Sequence, residues 1–183
     1  MIPPRLVPYF EEVAKGNVNV VRDGALVLFN YTDKCVFRRA WNHYTKTARG
    51  CIFVESTAVK VAMCMKKISN LFECEETGID QLPRLPFVVE EKADGSMITI
   101  YHYNGQWRTA TRGSFTSDQA KVAAIMLRDK YDLSDLDTNI PLPVRLFIPP
   151  IRSSYPTVSG GNWYYWRPLI GNGKRNYLRR KWM

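Results

Sequence analysis

Asn104-Gly105 lies between two runs that alternate with a period of two. Met97, Thr99, Tyr101 and Tyr103 alternate with Ile98, Ile100 and His102 before it, and Gln106 to Thr111 follow it. An Asn-Gly loop accepts positive φ at both positions, so it selects the turn whose twist matches an antiparallel pair. The stretch predicts a hairpin, and a hairpin with apolar side chains needs another layer to bury them. A candidate layer follows directly. Ala120, Ala123, Ala124, Leu127 and Tyr131 form an i, i+3, i+4, i+7, i+11 stripe, predicting a helix on the sheet with Thr116 and Gln119 as its capping box.

The rest of the chain reads in the same terms. Leu6, Val7, Phe10, Val13 and Ala14 fall at helical spacing, and Gly16-Asn17 can stop the helix. Val18 to Val21 and Ala25 to Tyr31 read as strands around Asp23-Gly24, and Gly50 to Glu55 and Val59 to Met65 as two more. Trp41, His43 and Tyr44 fall in a polar connection, where their rings either seal a core edge or stack nucleic-acid bases. Glu73, Glu75, Glu76 and Asp80 mark a solvated loop closed by Pro83 and Pro86, without the spacing of a metal cage. The fold class is α+β, with mostly antiparallel sheets and packed helices.

Chemistry concentrates where the strand Phe87-Val88-Val89 runs into Glu90-Glu91-Lys92-Ala93-Asp94-Gly95-Ser96. A lysine at a strand end, two residues before Asp-Gly, is well placed to be a nucleophile. Its amine attacks only when unprotonated, so a pKa of about 10.4 must be lowered by burial or by neighbouring cations. Taken alone, the pattern also fits an ordinary turn with a solvated lysine.

Four stretches in one order carry a resemblance to the phage RNA ligase 1 family, which is related to fungal tRNA ligase. Arg49-Gly50-Cys51-Ile52-Phe53 resembles its upstream Arg-Gly-apolar strand. Met65-Lys66-Lys67-Ile68-Ser69-Asn70 resembles its next element, with Ser69 where the family has an aromatic residue. Lys92-Ala93-Asp94-Gly95-Ser96 is similar to the adenylylation motif, and Thr111-Arg112-Gly113-Ser114 with Asp118-Gln119-Ala120 is similar to the basic-Gly-Ser turn and helix.

The resemblance spans roughly residues 5 to 140 and implies a nucleotidyltransferase domain of the DNA/RNA ligase and capping-enzyme type. It implies an ATP- and Mg²⁺-dependent RNA ligase with Lys92 as the catalytic nucleophile and Arg49, Lys67, Asp94, Gly95 and Arg112 around the nucleotide. The implied partners are RNA 5′-phosphate and 3′-hydroxyl ends in RNA repair, together with an end-healing kinase or phosphatase. No residues match the family's Mg²⁺-binding acidic motif or its late paired-lysine motif, and no metal ligand is assigned.

Composition adds bounds. With 45% hydrophobic and 23% charged residues, 183 residues suffice for one core. No leader pattern or bilayer-length apolar run is present, so a cytoplasmic protein with no membrane partner is expected. Cys35, Cys51, Cys64 and Cys74 are spaced too widely for paired zinc motifs and are expected as reduced thiols on half-buried strands. The net charge of +9 is unevenly spread. Residues 1 to 137 hold 18 basic and 17 acidic residues, whereas Thr138 to Met183 hold eight basic and no acidic ones.

The predicted domains are therefore a partial adenylyltransferase domain over 1–140 and a basic aromatic tail over 141–183. Where the family carries Phe-Glu-apolar-apolar-x-Pro-x-Asn-Arg-Ile-Val, this chain reads Pro143-Val144-Arg145-Leu146-Phe147-Ile148-Pro149-Pro150, without an acid. Written back into codons from the third base of the Val144 codon, synonymous choices allow EIIYPPNKIVVSYxFGGKLVLLA, which does match. A frameshift near residue 140 is thus expected, leaving the 183-residue product without strand-sealing activity. Two alternatives use the same residues. In one, Tyr164-Tyr165-Trp166-Arg167 and Leu178-Arg179-Arg180-Lys181 make a non-catalytic RNA-binding tail. In the other, the Lys-x-Asp-Gly core belongs to a DNA ligase or capping-type enzyme.

Overall fold

The computed structural model describes residues 1–64, 67, 69–82, 84–86 and 95–139, and the backbone of 142–147, 162–165 and 179–180. Its first half contains α1 (Val7–Ala14), β1 (Val18–Asp23), β2 (Leu26–Tyr31), α2 (Asp33–Phe37), α3 (His43–Thr47), β3 (Arg49–Val54) and β4 (Lys60–Ala62). The four strands form an antiparallel sheet in sequence order. Then follow β5 (Ser96–Tyr103), β6 (Gln106–Thr111), α4 (Asp118–Lys130), β7 (Tyr131–Asp132), β8 (Leu142–Phe147), β9 (Asn162–Tyr165) and β10 (Arg179–Arg180). The second sheet has the order β6-β5-β8-β9, and β7 pairs with β10.

Strand alternation sorts the core into layers. Along β2, Val27 and Phe29 pack towards α1 with Cys51 and Phe53 of β3, while Leu26 and Leu28 join Ile52 and Ala62 on the opposite face. That opposite face meets Tyr101, Ala110 and Phe115 from the second half, a sheet-on-sheet contact. Ile98 and Ile100 point the other way, onto Ala123, Met126 and Leu127 of α4. The stack runs from α1 through both sheets to α4. Burying an aliphatic or aromatic side chain in it contributes roughly 2 kcal/mol. Thr109 ties the last two layers by donating its buried hydroxyl to the Ala120 carbonyl at 2.8 Å.

Local signals set the element ends. Pro8 opens α1 where no intrahelical N–H is needed, and Gly16 leaves it at φ +72°. Glu12 is 4% exposed on the inner face of α1, where Asn17 and Lys15 donate to its two oxygens at 2.7 Å. Burial alone would raise its pKa, but those hydrogen bonds outweigh it and hold the carboxyl below its ordinary range. The hairpin matches the sequence expectation: Asn104 and Gly105 have φ of 51° and 74°, and β5 pairs with β6 from Ile98↔Thr111 to Tyr103↔Gln106.

Several expectations need correction. The connection containing Trp41, His43 and Tyr44 holds two helices of five residues each, α2 and α3. Ser117, not Thr116, caps α4, accepting from the Ala120 N–H at 3.3 Å. Met126 takes the buried position expected of Ala124, which is exposed. Glu73, expected on the surface, is half-buried and ion-paired. The cysteines are all free, but Cys35 lies on α2 and Cys74 in the loop, and Cys35, Cys51 and Cys64 are buried. Burial pushes the Cys51 thiol up to about 12, so it stays protonated at neutral pH. The strand expected over 87–89 lies outside the described residues, as do Lys92 and Asp94.

Candidate nucleotide site

The strand ends of β2, β3 and β6 meet at one edge of the sheet pair. Thr111 closes a tight turn after β6, its N–H and hydroxyl both bonded to the Ser114 carbonyl, at 2.9 and 3.1 Å. That turn carries Arg112. Gly50, next to Arg49 at the head of β3, adopts φ +69°, and a Cβ built on it would lie 3.1 Å from both Cα and O of Arg112. The backbones of Gly50 and Arg112 therefore approach closely, and a glycine is what allows it.

From Arg112 a row of side chains leads across this edge. Its Nη1 donates to the Tyr31 hydroxyl at 3.1 Å, and its guanidinium lies 5.0 Å from the Tyr31 ring centroid. Tyr31 meets Trp41 edge-on at 5.2 Å, and Lys67 Nζ sits 4.7 Å from the Trp41 ring. Two cations from distant parts of the chain are thus spaced by two aromatic rings, whose faces attract positive charge. Lys67 is only 9% exposed and so needs a counter-charge, which Glu73 provides. The Asn70 N–H fixes the other Glu73 oxygen at 2.8 Å. The Lys67 hydrogen bond, followed by that of Asn70, holds the Glu73 carboxyl below its ordinary pKa.

Two buried polar atoms near this row have no hydrogen-bond partner among the described residues: the indole Nε1 of Trp41 and Oδ1 of Asn30. Asn30 is the Cα partner of Arg49, and its Nδ2 lies 3.6 Å from where a Cβ of Gly113 would be. One orphan donor, one orphan acceptor and nearby cations suit a ligand that is anionic and polar at several points. Gly95, at φ +129°, precedes β5 by one residue, and Ile98 of that strand pairs with Thr111 beside Arg112. Of the residues expected at the site, Lys67 and Arg112 are linked by the row, Arg49 adjoins Arg112 through Gly50, and Gly95 lies at the same end of β5.

Tyr31, Trp41, Asn30 and Glu73 were not foreseen as parts of the site. Tyr31 and Asn30 sit at the end of the strand that pairs with Arg49, which was the available signal. Trp41 is no local extension of any motif, and only the tertiary fold brings it to Lys67.

A model of the RNA ligase family matches residues 47–139, a span that takes in Arg49, Lys67, Gly95 and Arg112 as well as Lys92 and Asp94. The chain belongs to the RNA ligase family. No curated protein matches it. Family membership supports ligase function in general, with RNA as the substrate class it implies, and the antiparallel sheets with their packed helices fit a nucleotidyltransferase-type domain. No helix among the described residues is long and apolar enough to cross a membrane.

Proposed function

We propose that this chain belongs to an ATP-dependent RNA ligase in which Lys92 carries AMP between ATP and an RNA 5′-phosphate. The unprotonated Lys92 amine attacks the α-phosphorus, a nitrogen–phosphorus bond forms, and the bond to the β-phosphate breaks with release of pyrophosphate. AMP then passes to the RNA 5′-phosphate, and a 3′-hydroxyl displaces it to join the strands. Transfer of this kind depends chiefly on positioning and on stabilising charge. Arg49, Lys67 and Arg112 supply cations for the phosphates, and such cations near Lys92 also lower its pKa by repulsion.

The observation that carries this reading is the row from Lys67 through Trp41 and Tyr31 to Arg112, which ties two motif cations together beside the Gly95 end of β5. Asp94 and Gly95 belong to the same proposed nucleotide contact set. Mg²⁺ enters through the family resemblance and would neutralise phosphate charge. No group of three or more His, Cys, Asp or Glu converges among the described residues, so no step is assigned to it.

Residues 1–140 form the adenylyltransferase part of this proposal, and residues from about 140 onward are an out-of-frame translation. The match of the alternative frame to the family's glutamate-bearing strand supports this. Incubation with α-labelled ATP, followed by peptide mapping, tests the reading on this chain and on a frame-corrected version. Label on Lys92, lost in Lys92→Ala, is expected for the corrected chain. Label on no residue of that chain overturns the proposal. DNA sequencing that shows an authentic in-frame tail, with no ligase reading in the neighbouring frame, removes the frameshift.

A further inference from the structure

Away from the Lys67–Arg112 row, a cleft of about 430 Å³ opens between α1, α3 and the edge formed by β3 and β4. Other clefts among the described residues are mixed in charge or nearly neutral. The one along α4 is lined by both Arg128 and Asp132, the one beside Trp41 carries Glu73 and Glu76, and the one at β1 is mostly aliphatic. Among the described residues, this cleft is lined by Arg5, His43 and Lys60 and by no carboxylate.

Its geometry suits a chain of alternating phosphates and rings. The Arg5 guanidinium lies 5.7 Å from the Phe53 centroid and donates to the Ala58 carbonyl at 3.4 Å. Lys60 is the Cα partner of Phe53 and lines the same cleft as Arg5, and neither cation is in an ion pair among the described residues. On the α3 side, the exposed His43 ring meets Tyr44 edge-on at 5.2 Å, and Tyr44 meets Tyr9 edge-on at 5.3 Å. Tyr9 shares a 2.9 Å hydrogen bond with Thr47, which fixes that wall.

We propose that this cleft binds one nucleotide of a single-stranded RNA chain, with the base against His43 and Tyr44 and the phosphate held by Arg5 and Lys60. Ring stacking of this kind tolerates any base, and cations without carboxylate neighbours hold a phosphate without repulsion. The place of the cleft supports an RNA ligand. Helix α3 is shared, with His43, Tyr44 and Thr47 lining this cleft while Lys46 lines the cavity of Trp41 and Glu73 beside Lys67. A strand seated here crosses α3 to bring its end to the row; this directional part alone rests on the nucleotide reading proposed above.

The test is fluorescence anisotropy of a short 5′-fluorescein oligouridylate with the full chain and with a His43→Ala/Lys60→Ala double variant. Both positions are exposed, and circular dichroism checks that the fold persists. Affinity is expected to fall about tenfold. The salt dependence is expected to become shallower by about 0.7 in log–log slope, because one phosphate is no longer neutralised by Lys60. Ultraviolet crosslinking is expected to label the peptide containing His43 and Tyr44. Unchanged affinity and slope, or crosslinks confined to residues 141–183, overturn the inference. Labelling of Lys92 by ATP is measured separately on the frame-corrected chain. Absence of label there, with oligouridylate affinity lowered about tenfold in the double variant, defeats the adenylylation reading and leaves this one standing.

Discussion

Replacing Gly50 by alanine tests whether the close approach of β3 to the Arg112 turn organises the candidate site. At φ +69° an L residue is strained by roughly 1–2 kcal/mol. The new methyl would also lie 3.1 Å from Arg112 Cα, 3.1 Å from its O and 3.4 Å from its C. All three atoms are backbone, so no side chain can swing aside. The turn is pinned by the two Thr111–Ser114 hydrogen bonds and by Arg112–Tyr31, and forcing it away costs about another 1–3 kcal/mol. Gly105→Ala and Gly24→Ala separate the two contributions. Those glycines have φ of 74° and 57°, but a Cβ on either meets nothing within 4 Å. Urea unfolding should show Gly50→Ala less stable than either control by about 2 kcal/mol. It should also bind a non-hydrolysable ATP analogue more weakly, because Arg112 moves with its turn. Equal destabilisation in all three variants would refute the reasoning, since the backbone conformation alone would then account for the effect.

Two further changes test the row itself. Tyr31→Phe keeps the ring beneath Arg112 but removes the hydroxyl that accepts from Nη1, so a stability loss of about 1 kcal/mol is expected. Calorimetry should also show several-fold weaker binding of the ATP analogue, and unaltered affinity would disconnect Tyr31 from Arg112's role. Glu73→Gln leaves the nearly buried Lys67 ammonium without a counter-charge and should cost about 3 kcal/mol in urea unfolding. Because the folded Glu73 pKa is depressed, its stabilisation is complete above the ordinary carboxylate pKa and disappears as pH falls through the folded value. The variant should therefore lose part of the acid sensitivity of unfolding, and identical pH profiles would show that the ion pair contributes nothing.

What could be read from residues alone was what short-range physics decides. The β5–β6 hairpin needs only period-two alternation and an Asn-Gly pair, and its observed register follows from them. Helices α2 and α3 were missed because five residues cannot display a 3.6-residue period. Their legible signals were caps: Thr32 accepts from the Cys35 N–H, and Asn42 and Thr45 form a reciprocal box. At the start of α4, Thr116 and Ser117 are chemically equivalent candidates, and only the observed backbone distinguishes them. The site divides in the same way. Arg49, Lys67 and Arg112 sit in recognisable motifs, whereas Tyr31, Trp41 and Glu73 take their places from contacts between distant segments. Glu73 was misplaced because an acidic run reads as solvated unless a buried cation is known to face it.

The register of β8 gives the frameshift proposal a structural argument that codons alone do not supply. β8 runs antiparallel to β5, with Arg145 opposite Met97, Val144 opposite Ile98 and Pro143 opposite Thr99. β8 also pairs with β9 on its other side, so it is an interior strand. Proline brings no N–H to a ladder and is disfavoured in such a strand, which makes Pro143 a poor choice for this slot. In the alternative frame, the glutamate spans the Val144 and Arg145 codons. Its slot would then face Met97 and Ile98, and Ile98 in turn pairs with Thr111 next to Arg112 on the other side. A carboxylate restored there would stand at the Gly95 end of β5, where the nucleotide is proposed to bind. The present frame puts an arginine and a valine in the same place.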